Sequence, residues 1–224
     1  MKPLFITATG TDIGKTWIAT HLIAQWRREG RTVDACKPVV SGFRSDDEAS
    51  DTALLIKALG CAPTVQQIDT VSPWRFSAPL SPDVAAAREG KKIDESELLA
   101  FCKTRLVCTE ADYFLFEGVG GVMVPLNHRY LVLDWMQELS IPVLVVCGTY
   151  VGSINHTLLT LLALKQRGIV VAGLVVNETP SSPMRVEEML ATLARHSDVP
   201  AIGLHQLDHG EEAPSFMSFM EKIL

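Results

Sequence analysis

Long apolar runs are the first thing this sequence lacks. Its longest stretches of that kind, Ile141–Cys147 and Leu158–Leu164, fall far short of the roughly 18 residues that cross a bilayer. No membrane partner is expected, and Gly10 follows too soon after the first apolar residues for a signal peptide. A cytoplasmic location is the expectation. Paired cysteines are also missing: Cys36, Cys61, Cys102, Cys108 and Cys147 are odd in number and form no CxxC pair. They fit reduced thiols serving as small apolar residues. Positive charge is scarce, with 20 lysines and arginines against 26 acids and a formal net charge of −6. That argues against nucleic acid as a partner, because phosphate backbones are held by a basic footprint. No Ser-His-Asp or Cys-His arrangement stands out as an activated nucleophile.

What is present is enough apolar residue for a core. The chain has 224 residues, 47% hydrophobic and 21% charged, which fits one compact domain over residues 1–224. Apolar runs rich in Val, Ile or Phe at Leu4–Thr7, Val33–Val40, Tyr113–Phe116, Pro142–Cys147, Ile169–Val176 and Ala201–Leu204 read as strands buried on both faces. Helical patterns lie between them at Thr16–Glu29, Ser50–Leu59, Glu95–Val107, Val132–Leu139, Ser153–Arg167 and Met184–Arg195. Alternation of this kind predicts an α/β fold, a mostly parallel sheet with helices on both faces. Ligands are then expected at the carboxyl ends of the strands. The segment Ser72–Pro82, with Pro73, Pro79 and Pro82, is expected to be an irregular loop, either shaping the site or simply connecting elements.

The chemistry begins at the first turn. Residues 7–16 read Thr-Ala-Thr-Gly-Thr-Asp-Ile-Gly-Lys-Thr, and Gly14-Lys15-Thr16 match the end of the phosphate-binding pattern GxxxxGK[ST]. Ala8 stands where that pattern has its first glycine, which is tolerable if Ala8 keeps a negative φ, since the loop's task is to aim backbone N–H groups at phosphate oxygens. Gly14 allows close approach, Lys15 reaches the terminal phosphates, and the Thr16 hydroxyl can ligate Mg²⁺. Such a metal needs further hard oxygen ligands. Glu117 supplies one, at the end of the apolar strand Phe114–Phe116 and ahead of Gly118-Val119-Gly120-Gly121. Asp51, in the acidic stretch Asp46–Asp51, reads either as a ligand or as a first-turn acid favoured by the helix dipole. Lys37 interrupts an apolar run and points to an anion, or else to solvent from an edge strand beside Pro38. His205 and His209 have i, i+4 spacing, but on a segment with no clear helical pattern, so they read as surface residues.

Taken together, these motifs resemble the dethiobiotin synthetase family. The ordered set is Thr7–Thr16, Lys37-Pro38-Val39 with Ser41, Ser50-Asp51, Ser81-Pro82, Glu117–Gly121 with Pro125-Leu126, Asp134-Trp135, Gly152–His156 and Asn177. The resemblance implies a P-loop NTPase-like enzyme that closes a ureido ring on 7,8-diaminononanoate with CO₂ or bicarbonate and ATP, using Mg²⁺. Carried over by position, it makes Lys15 and Lys37 the catalytic cations and Thr16, Asp51 and Glu117 the metal ligands. ATP would be held by Asp12, Ile13, Gly14, Lys15, Thr16, Trp17, Glu117, Gly118, Val119, Gly120 and Asn177, with Asn177 at the base. Thr11 and Ser41 would bind the diamine. Gly152, Ser153 and Asn155 of a partner subunit would hold its carboxylate, so the resemblance also implies a homodimer with composite sites.

The sequence departs from the family pattern at Ala8, Asp12, Val119 and Asp83, none of which removes a phosphate or metal group. At Gln206 it lacks the usual proline of the base loop, which predicts weak discrimination among nucleotide bases. Two other classes compete: a partition-type nucleotide switch, against which Thr7–Ile13 contains no additional lysine, and a catalytically silent P-loop regulatory domain.

Overall fold

The computed structural model describes residues 1–206 and 214–224. The strands are β1 (Lys2–Ala8), β2 (Val33–Cys36), β3 (Val39–Ser41), β4 (Trp74–Phe76), β5 (Tyr113–Gly121), β6 (Val143–Gly148), β7 (Val171–Asn177) and β8 (Ala201–Leu204). The helices are α1 (Lys15–Arg28), α2 (Asp51–Ala58), α3 (Val65–Val71), α4 (Pro82–Arg88), α5 (Glu95–Cys108), α6 (Val132–Leu139), α7 (Ser153–Gln166), α8 (Val186–Leu193) and α9 (Met217–Ile223). Six strands form one sheet in the order β2-β5-β1-β6-β7-β8, every neighbouring pair parallel. Side-chain alternation divides the core between its faces. Leu4, Ile6, Leu144 and Val146 pack under α1, α2 and α9, while Phe5, Val143, Val145 and Cys147 pack under α5, α6, α7 and α8. The expected parallel sheet with helices on both faces is what forms. No helix among the described residues is long and apolar enough to cross a membrane.

Local chemistry explains most helix starts. The Asp94 carboxylate accepts from the N–H groups of Ser96 and Glu97 to begin α5, and the Thr64 hydroxyl accepts from Gln67 to begin α3. Pro82 opens α4, where its missing N–H costs nothing.

Four expectations need correction. The run Val33–Val40 is not one strand, because the chain leaves the main sheet after Cys36 and Pro38 cannot donate to a ladder. It resumes as β3, which pairs with β4 in a separate two-stranded parallel sheet. Ser72–Pro82 is therefore not wholly irregular: its prolines flank Trp74–Phe76, and the Trp74 N–H donates to the Pro38 carbonyl at 3.0 Å. Strand β5 runs on to Gly121, so Glu117 lies within it rather than after it. Finally, α8 starts at Val186, because Glu188 accepts the Arg185 N–H and caps the helix there.

Candidate active site

Between β1 and α1 the chain makes a tight loop around its own backbone. Gly14 caps α1 with a φ of 99°, and a Cβ added there would lie 2.5 Å from the Asn177 side-chain nitrogen, so two independent reasons require glycine. Asn177, at the end of β7, donates from Nδ2 to the Ile13 carbonyl at 2.9 Å. Lys15 donates to the Gly10 carbonyl at 3.0 Å. The positive φ of the loop outside its glycines falls on Asp12, at 56°, and Ala8 is not among the positive-φ residues. Alanine therefore replaces the pattern's first glycine without strain, and an aspartate occupies a conformation that its short polar side chain tolerates.

A buried charge cluster sits beside this loop. Lys37 leaves β2 and turns inward, 2.6 Å from Glu117 Oε1 and in direct contact with Asp51 Oδ2. The Thr16 hydroxyl donates to the same Glu117 oxygen at 2.6 Å. Asp51 is the first residue of α2, capped by Ser50, so it meets both the dipole and the lysine. The Lys37 ammonium, which burial alone would discharge, is held above its ordinary pKa by Glu117 and Asp51. Burial opposes ionisation of Asp51 as well, yet Lys37 keeps it below the usual carboxylate range. Glu117 Oε2 is buried with no hydrogen-bond partner among the described residues, a carboxylate oxygen short of a cation or donor.

These groups border a cavity of about 870 Å³ lined by Thr11, Asp12, Gly14, Lys15, Thr16, Trp17, Lys37, Ser41, Asp51, Val119 and Gly120 among others. All eleven were expected site residues. Ser41 Oγ is buried at the cavity edge without a hydrogen-bond partner among the described residues. Residues not anticipated by role are Val40, Gly42, Pro79, Leu80, Ser81, Pro82 and Val124; the proline-rich composition of Ser72–Pro82 was the available signal for four of them. Other expected residues lie off the cavity wall: Glu117 is fully buried behind it, bonded to Thr16 and Lys37. Ile13 packs into the core beneath α1, Gly118 lies against the Phe5 ring, where a Cβ would be 2.8 Å from Cε1, and Asn177 braces the loop. Gly152, Ser153 and Asn155 open α7, at the end of β6, and the structure does not bring them to the cavity. Gln206 is exposed and donates its N–H to Glu178 at 2.8 Å. His205 pairs with Glu187 at 3.0 Å; His209 lies outside the described residues.

Lys15 is the electrostatically strained member. Burial first, and the Lys37 charge second, lower its pKa from 10.5 to about 8, against smaller opposing effects of Glu117, Asp51 and Asp12. Between about pH 8 and 10.5 the unfolded chain therefore binds more protons at this residue than the folded one, and Lys15's contribution to stability rises with pH across that window. An anion docked on Lys15 reverses the shift. Affinity for inorganic tripolyphosphate is expected to fall about tenfold per pH unit above pH 8, with proton uptake on binding. Titration calorimetry in buffers of different ionisation enthalpy checks this, and an affinity flat to pH 9.5 would contradict it.

The ATP-dependent dethiobiotin synthetase BioD of Acidiphilium cryptum (strain JF-5) is 43% identical over 198 residues, covering 88% of this chain and 88% of the relative. The chain belongs to the dethiobiotin synthetase family. Dethiobiotin synthetases of Methylobacterium nodulans, 41% identical over 89% of this chain and 91% of the relative, and Phenylobacterium zucineum, 39% identical over 93% and 91%, are similar along the same length. Residues 2–207 also match the family described as AAA domain. Solved structures of like fold include the cell division ATPase MinD of Pyrococcus furiosus, with TM-score 0.53, 14% identity and coverage of 90% of this chain and 81% of that one. Chloroplast FtsY of Physcomitrella patens has TM-score 0.55 and 17% identity, covering 99% and 65%. At such identities the likeness is one of fold.

Proposed function

We infer that this protein is an ATP-dependent dethiobiotin synthetase, a cytoplasmic single-domain ligase that closes the ureido ring of dethiobiotin from 7,8-diaminononanoate and CO₂. The observation that carries the reading is the convergence of Lys15, Thr16, Lys37 and Asp51 on one cavity, with the buried Glu117 bonded to Thr16 and Lys37 behind its wall, in a chain about 40% identical to named synthetases over most of its length.

The residues fit Mg²⁺. Thr16, Asp51 and Glu117 offer only hard oxygen donors, and Glu117 Oε2 lacks a partner among the described residues. Mg²⁺ held by these side chains would supply Lewis-acid charge neutralisation for phosphoryl transfer. The backbone N–H groups of Asp12–Thr16 and the start of α1 would hold the polyphosphate. Ser41, beside Pro79 and Leu80, lies where the apolar diamine chain and one of its amines would rest. That amine takes up CO₂ as a carbamate, and a carbamate oxygen attacks the terminal phosphorus as the bond to the ADP oxygen breaks. Lys15 and Lys37 would neutralise the charge that spreads over the transferred phosphoryl group. In the resulting carbamic–phosphoric anhydride the second amine attacks the carbonyl carbon and phosphate leaves. Ring closure is intramolecular, which can lower such barriers by roughly 7–11 kcal/mol. No side-chain nucleophile is required.

The substrate carboxylate would be held at the start of α7, by Gly152, Ser153 and Asn155 of a second subunit. Gly152 has a φ of 94°, no side chain caps the helix, and Val151, Leu159 and Leu162 are exposed apolar residues on or beside it, a face suited to a partner copy. A two-fold homodimer with two composite sites is expected. Light scattering that finds a fully active monomer at assay concentration would exclude it.

The decisive assay follows ADP release with and without 7,8-diaminononanoate and bicarbonate. Release that requires both supports the synthetase. Release independent of both would favour a nucleotide switch, and none at all a silent domain.

A further inference from the structure

The cavity has one wall that the phosphate and metal chemistry does not use. Trp17, immediately after Thr16, lines it, and its ring stacks on that of His21 with centroids 3.7 Å apart and planes 24° from parallel. The His21 ring is fixed in turn, since Nδ1–H donates to the Trp17 carbonyl at 2.8 Å. Both side chains are half-buried. One exposed aromatic on a helix would be unremarkable; a pair locked face to face at a cavity edge is a rigid π surface.

Helical geometry decides which part of a ligand that surface meets. Successive residues of α1 are turned by about 100°, so Thr16 and Trp17 face different sides of the cavity. Thr16 joins Glu117, and further along the helix Arg27 donates to the Ala58 carbonyl of α2; in the nucleotide-binding reading this is the side of the terminal phosphate. Trp17, His21 and Gln25 recur at i, i+4 and i+8 on another stripe. Gln25 donates to the Pro214 carbonyl and accepts from the Phe216 N–H, which orients the stripe toward the segment before α9. A nucleoside triphosphate whose last phosphate lies by Lys37 therefore extends its nucleoside along the Trp17 side.

We propose that the nucleobase of the triphosphate stacks on Trp17, with His21 as a positioning residue behind the indole, so that the base is held by its face more than by its edge. This rests on the nucleotide-binding reading above. Every base has a π face, so stacking adds affinity without selecting a base; ATP, GTP and CTP should then support turnover within about tenfold of one another, in keeping with the proline missing at Gln206.

The test compares binding of MgADP and of inorganic tripolyphosphate with Mg²⁺ by calorimetry on the full chain. Trp17→Ala should weaken MgADP about tenfold, which is about 1.4 kcal/mol, and change tripolyphosphate less than twofold. Trp17→Leu keeps apolar bulk without a π face and should behave like Trp17→Ala; Trp17→Phe should lie within about threefold of wild type. His21→Ala should raise KM for ATP about threefold and leave kcat unchanged. Unchanged MgADP affinity in both Trp17→Ala and Trp17→Leu, or equal weakening of both ligands, overturns the proposal. A P-loop failure looks different: tripolyphosphate would not bind wild type, or Lys15→Ala would not weaken it, and then both readings fall.

Discussion

Lys15→Ala should lower turnover by at least ~10²-fold, the loss typical when one preorganised electrostatic stabiliser is removed from a transition state. The lysine is buried and, among the described residues, bonded only to the Gly10 carbonyl, so its charge is not spent there on a structural acid. Burial and the Lys37 charge already press on it to lose its proton, and its removal relieves that repulsion. Stability should therefore hold or rise slightly while chemistry fails. Single-turnover ADP formation beside a thermal melt separates the two; turnover within threefold of wild type would sink the P-loop assignment.

Lys37→Ala should damage both stability and activity. It leaves Asp51 and the fully buried Glu117 facing each other without their shared cation, and removing one partner of a buried pair usually costs about 3–5 kcal/mol. Asp51 is 43% exposed, so the lower end, about 3 kcal/mol, is expected here, a fall in Tm of roughly 6–12 °C for a chain of this size. The raised Lys37 pKa means its contribution is complete below the unfolded value of 10.5 and lost only as pH rises through the folded one. The lowered pKa of Asp51 means its share is complete above about 3.8 and lost as pH falls. At pH 7.5 the whole deficit should appear, and millimolar Mg²⁺ should recover part of it by replacing the missing cation. Turnover should drop by ~10²-fold or more even when Mg²⁺ restores the melt. A variant as stable as wild type without Mg²⁺ would show that the cluster is not the pair described.

The sequence revealed the fold because parallel strands buried on both faces are written as continuous Val, Ile and Phe runs, which need no partner information to read. It also pointed to the candidate site wherever local demands fixed the residue: Gly14 and Lys15 sit at a strand-to-helix turn, and Glu117 follows Phe114–Phe116 with a charge that a buried strand does not tolerate alone. What stayed hidden depended on contacts across the chain. Nothing in Lys37-Pro38 announces that β2 stops and β3 joins a different sheet, because the partner strand, Trp74–Phe76, lies among prolines. The link from Asn177 to Ile13 joins residues far apart in sequence, and composition gives no sign of it. The Trp17–His21 stack has a readable i, i+4 spacing, but only the structure puts Trp17 on the cavity wall.

The strand order has a consequence during synthesis on the ribosome. β1 is flanked on one side by β5 and on the other by β6, so Lys2–Ala8, an apolar segment, meets its first neighbour only when Tyr113 and the residues after it have emerged. Until then α1, β2 and α2 can form no more than local structure around an unpaired ribbon edge. Non-local parallel pairing of this kind is slow, and the waiting chain exposes a surface prone to aggregation. Folding yield in cells should thus depend on how fast, and how well chaperoned, the middle of the chain is delivered.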